Sequence, residues 1–518
     1  MRLVLVVALL ASVPALAGCM QDPLPTGAAG RTELASMAGA WYEAPLAREP
    51  GHDHKDLSQH QNVSTSNFLL LGHDSLVTRD TGNRIVGSWG CGEVGETVEG
   101  RRLAILDGFG RDAHAIADIT DPAHPYKVGE IVLRGASTWD DALTPDGRWA
   151  ILGLNTILRQ PTLGALAPVD GAPLTASFRD ACTGEERAIP IPDIAITSGV
   201  MAFDLADPAN PVFADYFPTP AFNMHSVSTA IVDGRTYVTA STVQLVHTPS
   251  YFVFLEMLDT PLGGKLSYLS AFAPPPVAAP QGHVFVPSEN GHNDVSIAKH
   301  PGNGKVYAYL AAWDGGMITL DLTVPEAPIF TANWAPPTTG LVSSALSDDC
   351  QAWGVHTTYP LGELWDDKHY VIVGQECPFH RNLNSPAGQV FIVDDTDPAN
   401  PTMTGRWNLP VDTGIWTTEY QASPHYVAVE GRTLFVSMYH AGLWAVDLSG
   451  DLTAPPAIGM YMPSIPSGVG NPSFAAPVTE QVNVMSNGDI VLFENSSGVY
   501  VLRFDATSPA PAALPHFR

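Results

Sequence analysis

Four histidines occupy the same position in four similar stretches of the chain, each at the start of a strand-like run. The stretches are "MHSVSTAIVDG", "GHNDVSIAKHPG", "GVHTTYP" and "SPHYVAVEG", and they carry His225, His292, His356 and His425. Histidine accounts for only 17 of the 518 residues, so four at one aligned position are not expected by chance. Neutral imidazoles are good ligands for zinc, copper and iron. The pattern therefore predicts a transition-metal site, provided that the fold brings the four stretches together.

Further polar side chains are predicted to lie beside these histidines. An antiparallel second strand ends on the face where the first strand starts. The residues at the ends of such second strands are Asp314, Glu376, His440 and Asn495, and Glu480 occupies the histidine position in "TEQVNV". Glu480, Glu376, Asp314 and His440 are predicted to hold the imidazoles through hydrogen bonds or to act as additional ligands. The alternative is that all of these positions simply face water and bind nothing.

A repeated phrase indicates which elements position these residues. It reads "IADITDPAHP" at Ile116, and it returns as "AFDLADPANP", "TLDLTVPEAP", "IVDDTDPANP" and "AVDLSGDLTAPP". Each copy is an apolar strand that ends in Asp and is followed by a turn containing Pro. Asp can bind the amides of the residues that follow it, and Pro presets φ for a turn. We therefore interpret the aspartates of the repeat as structural, and they are Asp118, Asp204, Asp321, Asp394 and Asp447.

The repeat predicts an all-β fold, a seven-bladed β-propeller of four-stranded blades. Two strand-like runs precede each phrase, which makes four strands per unit, and radial repetition of such units protects their edges. The first strands are expected to begin near Cys91, Asp140, His225, His292, His356, His425 and Glu480. The chain ends with an incomplete blade, so an N-terminal strand is expected to close the ring. "RIVGSW", Arg84–Trp89, resembles a fourth strand and is expected to pair with Gly498–Phe504.

The "DPANP" turns and the "GLWAVDLS"-like strands resemble those of LVIVD-repeat β-propellers, which include bacterial surface lipoproteins. The resemblance covers roughly Ile85 to Asp505, and it implies the propeller fold without implying a function. In architecture alone, the histidines at the axis are similar to the metal sites of carotenoid oxygenases and of the selenium-binding protein/methanethiol oxidase group. No local sequence match accompanies that similarity, so it implies no substrate.

The N-terminus is typical of an exported lipoprotein. Arg2 precedes a short apolar run, and "LAGC" at Leu16–Cys19 resembles the site at which a lipid is attached to Cys19. An ordinary signal peptide cleaved near Ala17 is the alternative. We predict a signal peptide at 1–18, a flexible tether at 19–60, the propeller at 61–505 and a tail at 506–518. The predicted location is the cell envelope, on the outer membrane or cell surface.

Charge and cysteine content limit the partners of the chain. The formal net charge is −28, and an acidic surface repels nucleic acid. The expected partners are the lipid membrane, through the anchor, and a small-molecule, polysaccharide or protein ligand of a monomer. Besides Cys19, four cysteines permit two disulfides in an exported protein. Cys350 and Cys377 fall within one repeat and are the favoured pair.

Two functions are consistent with these features. The first is a metal-dependent hydrolase or oxidoreductase whose site, with zinc, copper or iron, lies at a mouth of the central channel; no catalytic residue is assigned. The second is a non-catalytic surface scaffold that binds through its long loops, of which Thr156–Ala195 is the most prominent.

Overall fold

The structure is a computed structural model, and its description begins at Ser64. The described residues are 64–74, 76, 78–79, 85–86, 90–108, 113–132, 137–155, 175–179, 186–190, 198–219, 223–243, 251–261, 263–274, 277–278, 284–285, 294–313, 315–337, 354–376, 388–409, 423–439, 441–463, 478–495 and 497–507. All of them belong to one compact unit, Pro45–Arg518. Within the described part of the chain, no helix is long and apolar enough to span a membrane.

Seven antiparallel sheets of four strands form the blades of a β-propeller, as predicted. From first to fourth strand, blades 1 to 4 are Gly92–Glu96, Arg102–Asp107, Ala113–Asp118, Tyr126–Val132; Ser137–Leu143, Trp149–Asn155, Gly199–Asp204, Val212–Pro218; Asn223–Val232, Arg235–Val243, Phe252–Thr260, Gly263–Phe272; and Val295–Lys299, Val306–Ala311, Met317–Asp321, Ile329–Trp334. Each first strand begins within three residues of its predicted position.

Blades 5 to 7 follow the same order, except that the fourth strand of blade 7 comes from the N-terminal side of the propeller. Their strands are Val355–Pro360, Tyr370–Gln375, Gln389–Asp394, Thr402–Asn408; Val427–Glu430, Thr433–Ser437, Leu443–Asp447, Ala457–Tyr461; and Thr479–Val484, Ile490–Glu494, Gly498–Phe504, Phe68–Asp74. Among the described residues, three two-stranded hairpins lie outside the blades: Thr78–Arg79 with Ile85–Val86, Thr175–Arg179 with Glu186–Pro190, and Val277–Ala278 with Val284–Phe285.

The strand that closes the ring differs from the prediction. Phe68–Asp74, and not Arg84–Trp89, pairs with Gly498–Phe504, whereas Ile85–Val86 pairs with Thr78–Arg79. The reason is packing, because the Phe68 ring lies 4.7 Å from Phe504 and 6.2 Å from Phe435 of blade 6. The prediction of N-terminal closure is therefore confirmed, and its assignment to Arg84–Trp89 is wrong.

The hydrophobic core is divided among the interfaces between blades. Seven clusters of buried apolar side chains each join two neighbouring blades, and one of them, with Val491 and Ala104, joins blade 7 to blade 1. Every blade therefore depends on both of its neighbours. This arrangement leaves the inner ends of the first strands free to carry polar residues.

The aspartates of the repeat are structural, as predicted. The Oδ1 atom of each accepts a hydrogen bond from the amide two residues later, at 2.7 to 3.1 Å. Four of them also bind a basic side chain of their own blade, in the pairs Arg101–Asp118, Arg148–Asp204, Lys305–Asp321 and Lys368–Asp394. These carboxylates are engaged in turn contacts at the ends of the third strands, whereas the histidines stand at the starts of the first strands.

Candidate metal centre

The candidate ligands lie in β-bulges at the start of the first strands. In blades 3, 5 and 7, one extra residue interrupts the pairing of the first strand with the second, and these residues are His225, His356 and Glu480. In blade 6, the single residue Ser437 binds the main chain of both His425 and Tyr426. A bulge leaves one residue unpaired and changes the direction of its side chain. The repeated bulge therefore explains why the aligned position is used for polar groups.

Hydrogen bonds between neighbouring blades orient two of the imidazoles. The Nδ1 atom of His356 lies 3.0 Å from the main-chain oxygen of His425, and Nδ1 of His425 lies 2.8 Å from that of Glu480. A carbonyl oxygen only accepts, so each ring carries its proton on Nδ1 and a lone pair on Nε2. The two rings are 4.1 Å apart. Both are thus prepared to bind a metal ion through Nε2.

Glu376 completes a group of three neighbouring residues that could hold a metal ion. One ligand atom from each of His356, Glu376 and His425 lies within 4.8 Å of the other two, and all three residues are buried. The Oε2 atom of Glu376 is 3.7 Å from Nε2 of His356. Two ligand atoms that each lie about 2.0–2.2 Å from one zinc-like ion are up to ~4 Å apart from each other. A small inward shift of these side chains would therefore suffice for them to bind one ion. The arrangement is two imidazoles and one carboxylate.

Glu480 supports His425 from blade 7. Its Oε2 atom lies 3.2 Å from Nδ1 of His425, and its Oε1 atom accepts a 3.0 Å hydrogen bond from Asn495. Burial raises the pKa of Glu480 to about 8, although the Asn495 hydrogen bond opposes the shift. Burial likewise raises the pKa of Glu376 to about 8. A bound cation would lower both values, because it stabilises the carboxylate forms.

The pKa values of the imidazoles favour their neutral, metal-binding form. Burial lowers the pKa of His425 to about 3, and the nearby His225 contributes to the shift. Burial also lowers the pKa of His225 to about 4. His225 therefore lies in the same buried region, although it does not belong to the group of three close residues that could hold a metal ion.

Tyr439 is a residue of the site that sequence reasoning missed. Its hydroxyl donates a 2.5 Å hydrogen bond to Oε1 of Glu376, and its ring lies 4.7 Å from that of His425. It follows the second strand of blade 6, immediately before His440. The signal in the sequence was the aromatic residue at this position in both "SMYHAG" and "AAWDGG", which contains Trp313.

Further buried carboxylates lie on or directly before the first strands of blades 1, 2 and 4. Each is held by a side chain of a neighbouring blade, in the pairs Gln481–Glu93 (2.9 Å), Ser226–Asp140 (2.7 Å) and Ser228–Asp294. Burial raises the pKa of all three, and mutual repulsion between Glu93, Asp140 and Asp294 adds to the effect for Glu93. Of the three, only Asp140 was a sequence candidate. The region is acidic, and none of the three pairs with a Lys or Arg in the described part of the chain.

Several predicted residues lie outside the described residues. They are His292, Asp314 and His440 of the predicted metal site, the lipidation candidate Cys19, and the disulfide candidates Cys350 and Cys377. Cys91 is described, and it is a free, buried cysteine.

A second group of possible ligands, His300, His369 and Asp395, has a structural explanation. His300 Nε2 donates to the main-chain oxygen of Asp395 at 3.0 Å, and its Nδ1 accepts an amide hydrogen bond within its own turn. His369 Nε2 donates to Leu361 at 2.9 Å, and its Nδ1 faces the carboxylate of Asp395, which also binds Tyr309. The ring nitrogens of both imidazoles are thus engaged in contacts with other groups of the protein. The group joins blade 4 to blade 5.

Comparisons with known proteins assign the chain to no family. No protein-family model matches the chain, and no curated protein matches it. Similar solved structures include U3-55K, with a TM-score of 0.46 and 8% identity over 85% of this chain and 99% of that chain. The RRP9 WD40 repeats have a TM-score of 0.44 and 7% identity over 85% of this chain and 98% of that chain. A third is the β-propeller domain of Cps50 (Swd1) from Myceliophteria thermophila, with a TM-score of 0.41 and 9% identity over 85% of this chain and 99% of that chain. Likeness at this level carries no argument about function.

Proposed function

We propose that this protein is an exported β-propeller that binds one transition-metal ion at a mouth of its central channel and uses it as a hydrolase or an oxidoreductase. The ligands are His356, His425 and Glu376, with His225 as a candidate fourth. The observation that carries the proposal is the pair of imidazoles whose Nδ1 protons are fixed by carbonyl oxygens, with a buried carboxylate within reach. Such hydrogen bonds leave the Nε2 lone pair of each ring available to an ion.

The donor set restricts the chemistry. Two imidazoles and one carboxylate suit zinc or iron, copper is the third candidate, and coordination positions remain for water or substrate. A bound ion would supply Lewis acidity or redox chemistry there. The residues of this chain hold the ligands, exclude bulk water, and keep a proton on Tyr439 at hydrogen-bonding distance from Glu376.

Metal loading tests the proposal directly. Purified protein stripped with a chelator is incubated separately with Zn²⁺, Co²⁺, Cu²⁺ and, without oxygen, Fe²⁺, then desalted. We expect one tightly held ion per chain for at least one metal, measured by plasma mass spectrometry. Trace binding of all four metals by a folded protein would contradict the proposal.

A non-catalytic binding scaffold is the second candidate function. One observation favours it: the long insert in blade 2 contains its own hairpin, Thr175–Arg179 with Glu186–Pro190. Loops carried on a rigid scaffold commonly bind partners. The partner would then be a polysaccharide, a protein or a small molecule, bound outside the channel.

The proposed location follows from the N-terminus and from the resemblance to LVIVD-repeat surface lipoproteins. A lipid on Cys19 would tether a monomeric propeller to the cell envelope through a flexible segment. The negative net charge of −28 is consistent with the absence of nucleic acid among the proposed partners.

Replacing Cys19 with alanine tests the anchor. We expect the C19A protein to lose its lipid and to move from the membrane fraction to the soluble fraction after cell breakage, because the thiol is the point of lipid attachment. Metabolic labelling with a fatty acid and fractionation measure the two effects. Unmutated protein that is already soluble and unlabelled would instead support the ordinary signal peptide cleaved near Ala17.

A further inference from the structure

Two aromatic residues near the site have a main-chain conformation that L-residues rarely adopt. Trp313 and Tyr439 have φ values of +46° and +45°. Only glycine adopts this left-handed region readily, and bulky residues found in it are strained. Strain of this kind persists only where the surrounding structure enforces it, and it clusters at functional sites. The two residues occupy equivalent positions, after the second strands of blades 4 and 6.

Both residues make the same contact with the following blade. Trp313 and Val355 exchange two main-chain hydrogen bonds of 3.0 and 3.1 Å, and Tyr439 and Thr479 exchange two of 3.1 and 3.0 Å. Each partner stands directly before a bulge residue. Val355 precedes His356, and Thr479 precedes Glu480, whose carbonyl fixes the tautomer of His425. We call each pair of main-chain hydrogen bonds a latch.

Tyr439 adds a side-chain contact to its latch. Its hydroxyl holds Oε1 of Glu376 in blade 5, while its main chain holds Thr479 in blade 7. One residue of blade 6 thus connects the three blades that supply His356, His425 and Glu480. Trp313 provides the corresponding main-chain support on the blade 4 side, and its ring lies 6.3 Å from that of His356.

We propose that Tyr439 and Trp313 are positioning residues of the metal centre: their left-handed main chains latch the strands that carry the metal-binding groups, and the Tyr439 hydroxyl orients Glu376. The inference rests on the proposed metal-binding function. It assigns a role to two residues that need not touch the ion themselves.

The hydroxyl is tested by Tyr439→Phe, with Tyr309→Phe as the matched control. Both tyrosines are buried, and each donates to a buried carboxylate, but Tyr309 binds Asp395, away from the site. Loss of a group that orients a metal ligand typically weakens metal binding about 10- to 100-fold. We expect a loss of this size for Y439F, with a changed visible spectrum of bound Co²⁺. For Y309F we expect the wild-type affinity and spectrum.

The main-chain latch is tested by comparing Trp313→Val with Trp313→Gly. Both variants lose the indole, but glycine accepts the left-handed conformation and valine, which is β-branched, resists it. We expect W313V to bind Co²⁺ roughly 10-fold more weakly than W313G, since His356 moves when the latch is lost. Thermal melting of each variant shows whether it is folded. Should W313V fail to fold, Tyr439→Phe, which keeps its latch, still decides the hydroxyl half.

The outcomes separate the two proposals. If wild-type protein binds metal but Y439F matches Y309F and W313V matches W313G, the positioning role is wrong and the metal centre stands. If folded wild-type protein binds none of the metals, the proposed function itself fails, and the positioning role fails with it.

Discussion

Replacing His425 with alanine is expected to reduce metal content from one ion per chain to a trace while the propeller remains folded. The variant loses one of the two proposed imidazole ligands, so the affinity for metal should fall by more than about 100-fold, since even groups that only orient ligands contribute about 10- to 100-fold. The Glu480 carbonyl keeps a donor, because Ser437 Oγ also binds it at 2.9 Å. The free energy of unfolding should therefore fall by only about 1–3 kcal/mol.

Plasma mass spectrometry and thermal melting measure these effects, and His124→Ala is the control. His124 is exposed, and it lies in a surface turn where its ring contacts Asp121. The control should bind metal as wild type does. Full metal content in folded H425A protein would remove His425 from the ligand set, and with it the proposed centre.

Replacing Phe68 with alanine is expected to destabilise the whole propeller. Phe68 is 8% exposed and packs against aromatic rings of blades 6 and 7, namely Phe435, Tyr461 and Phe504. A buried Phe→Ala change costs about 3–5 kcal/mol of unfolding free energy. Weak closure also exposes the edge of Gly498–Phe504, which promotes aggregation.

Leu69→Ala is the matched control for this experiment. Leu69 is the next residue of the same strand, and it is 59% exposed. Its replacement should change the unfolding free energy by no more than about 0.5 kcal/mol. Denaturant unfolding and size-exclusion chromatography measure the difference. Equal stability of the two variants would mean that Phe68–Asp74 does not close the ring in solution.

Repeats in the sequence were sufficient for the fold class. The aspartate and proline of each phrase predicted a turn, and local hydrogen bonds to Asp118 and its equivalents confirm it. Because these contacts join residues two apart, local sequence specifies them. The closing strand was misassigned, since "RIVGSW" resembles other fourth strands in pattern. The decisive contact, Phe68 with Phe504, joins residues at opposite ends of the propeller sequence.

The candidate site was predicted in part. Alignment of the repeats selected His356, His425 and Glu480, and strand direction selected Glu376 as their neighbour. Alignment did not separate these residues from His225, because all have the same place in their blades. It also missed Tyr439, whose left-handed main chain is not apparent from its type.

The sequence alone determined the number of blades, the turns and the kind of residue at the start of each first strand, because each of these depends on a local pattern that recurs. Only the tertiary structure decided which nitrogen of each imidazole is protonated, which carboxylate meets them and which strand completes the ring. These features depend on contacts between different blades, such as His356 with the carbonyl of His425 and Tyr439 with Glu376. Such contacts arise from closure of the ring, which brings together residues that are distant in the chain.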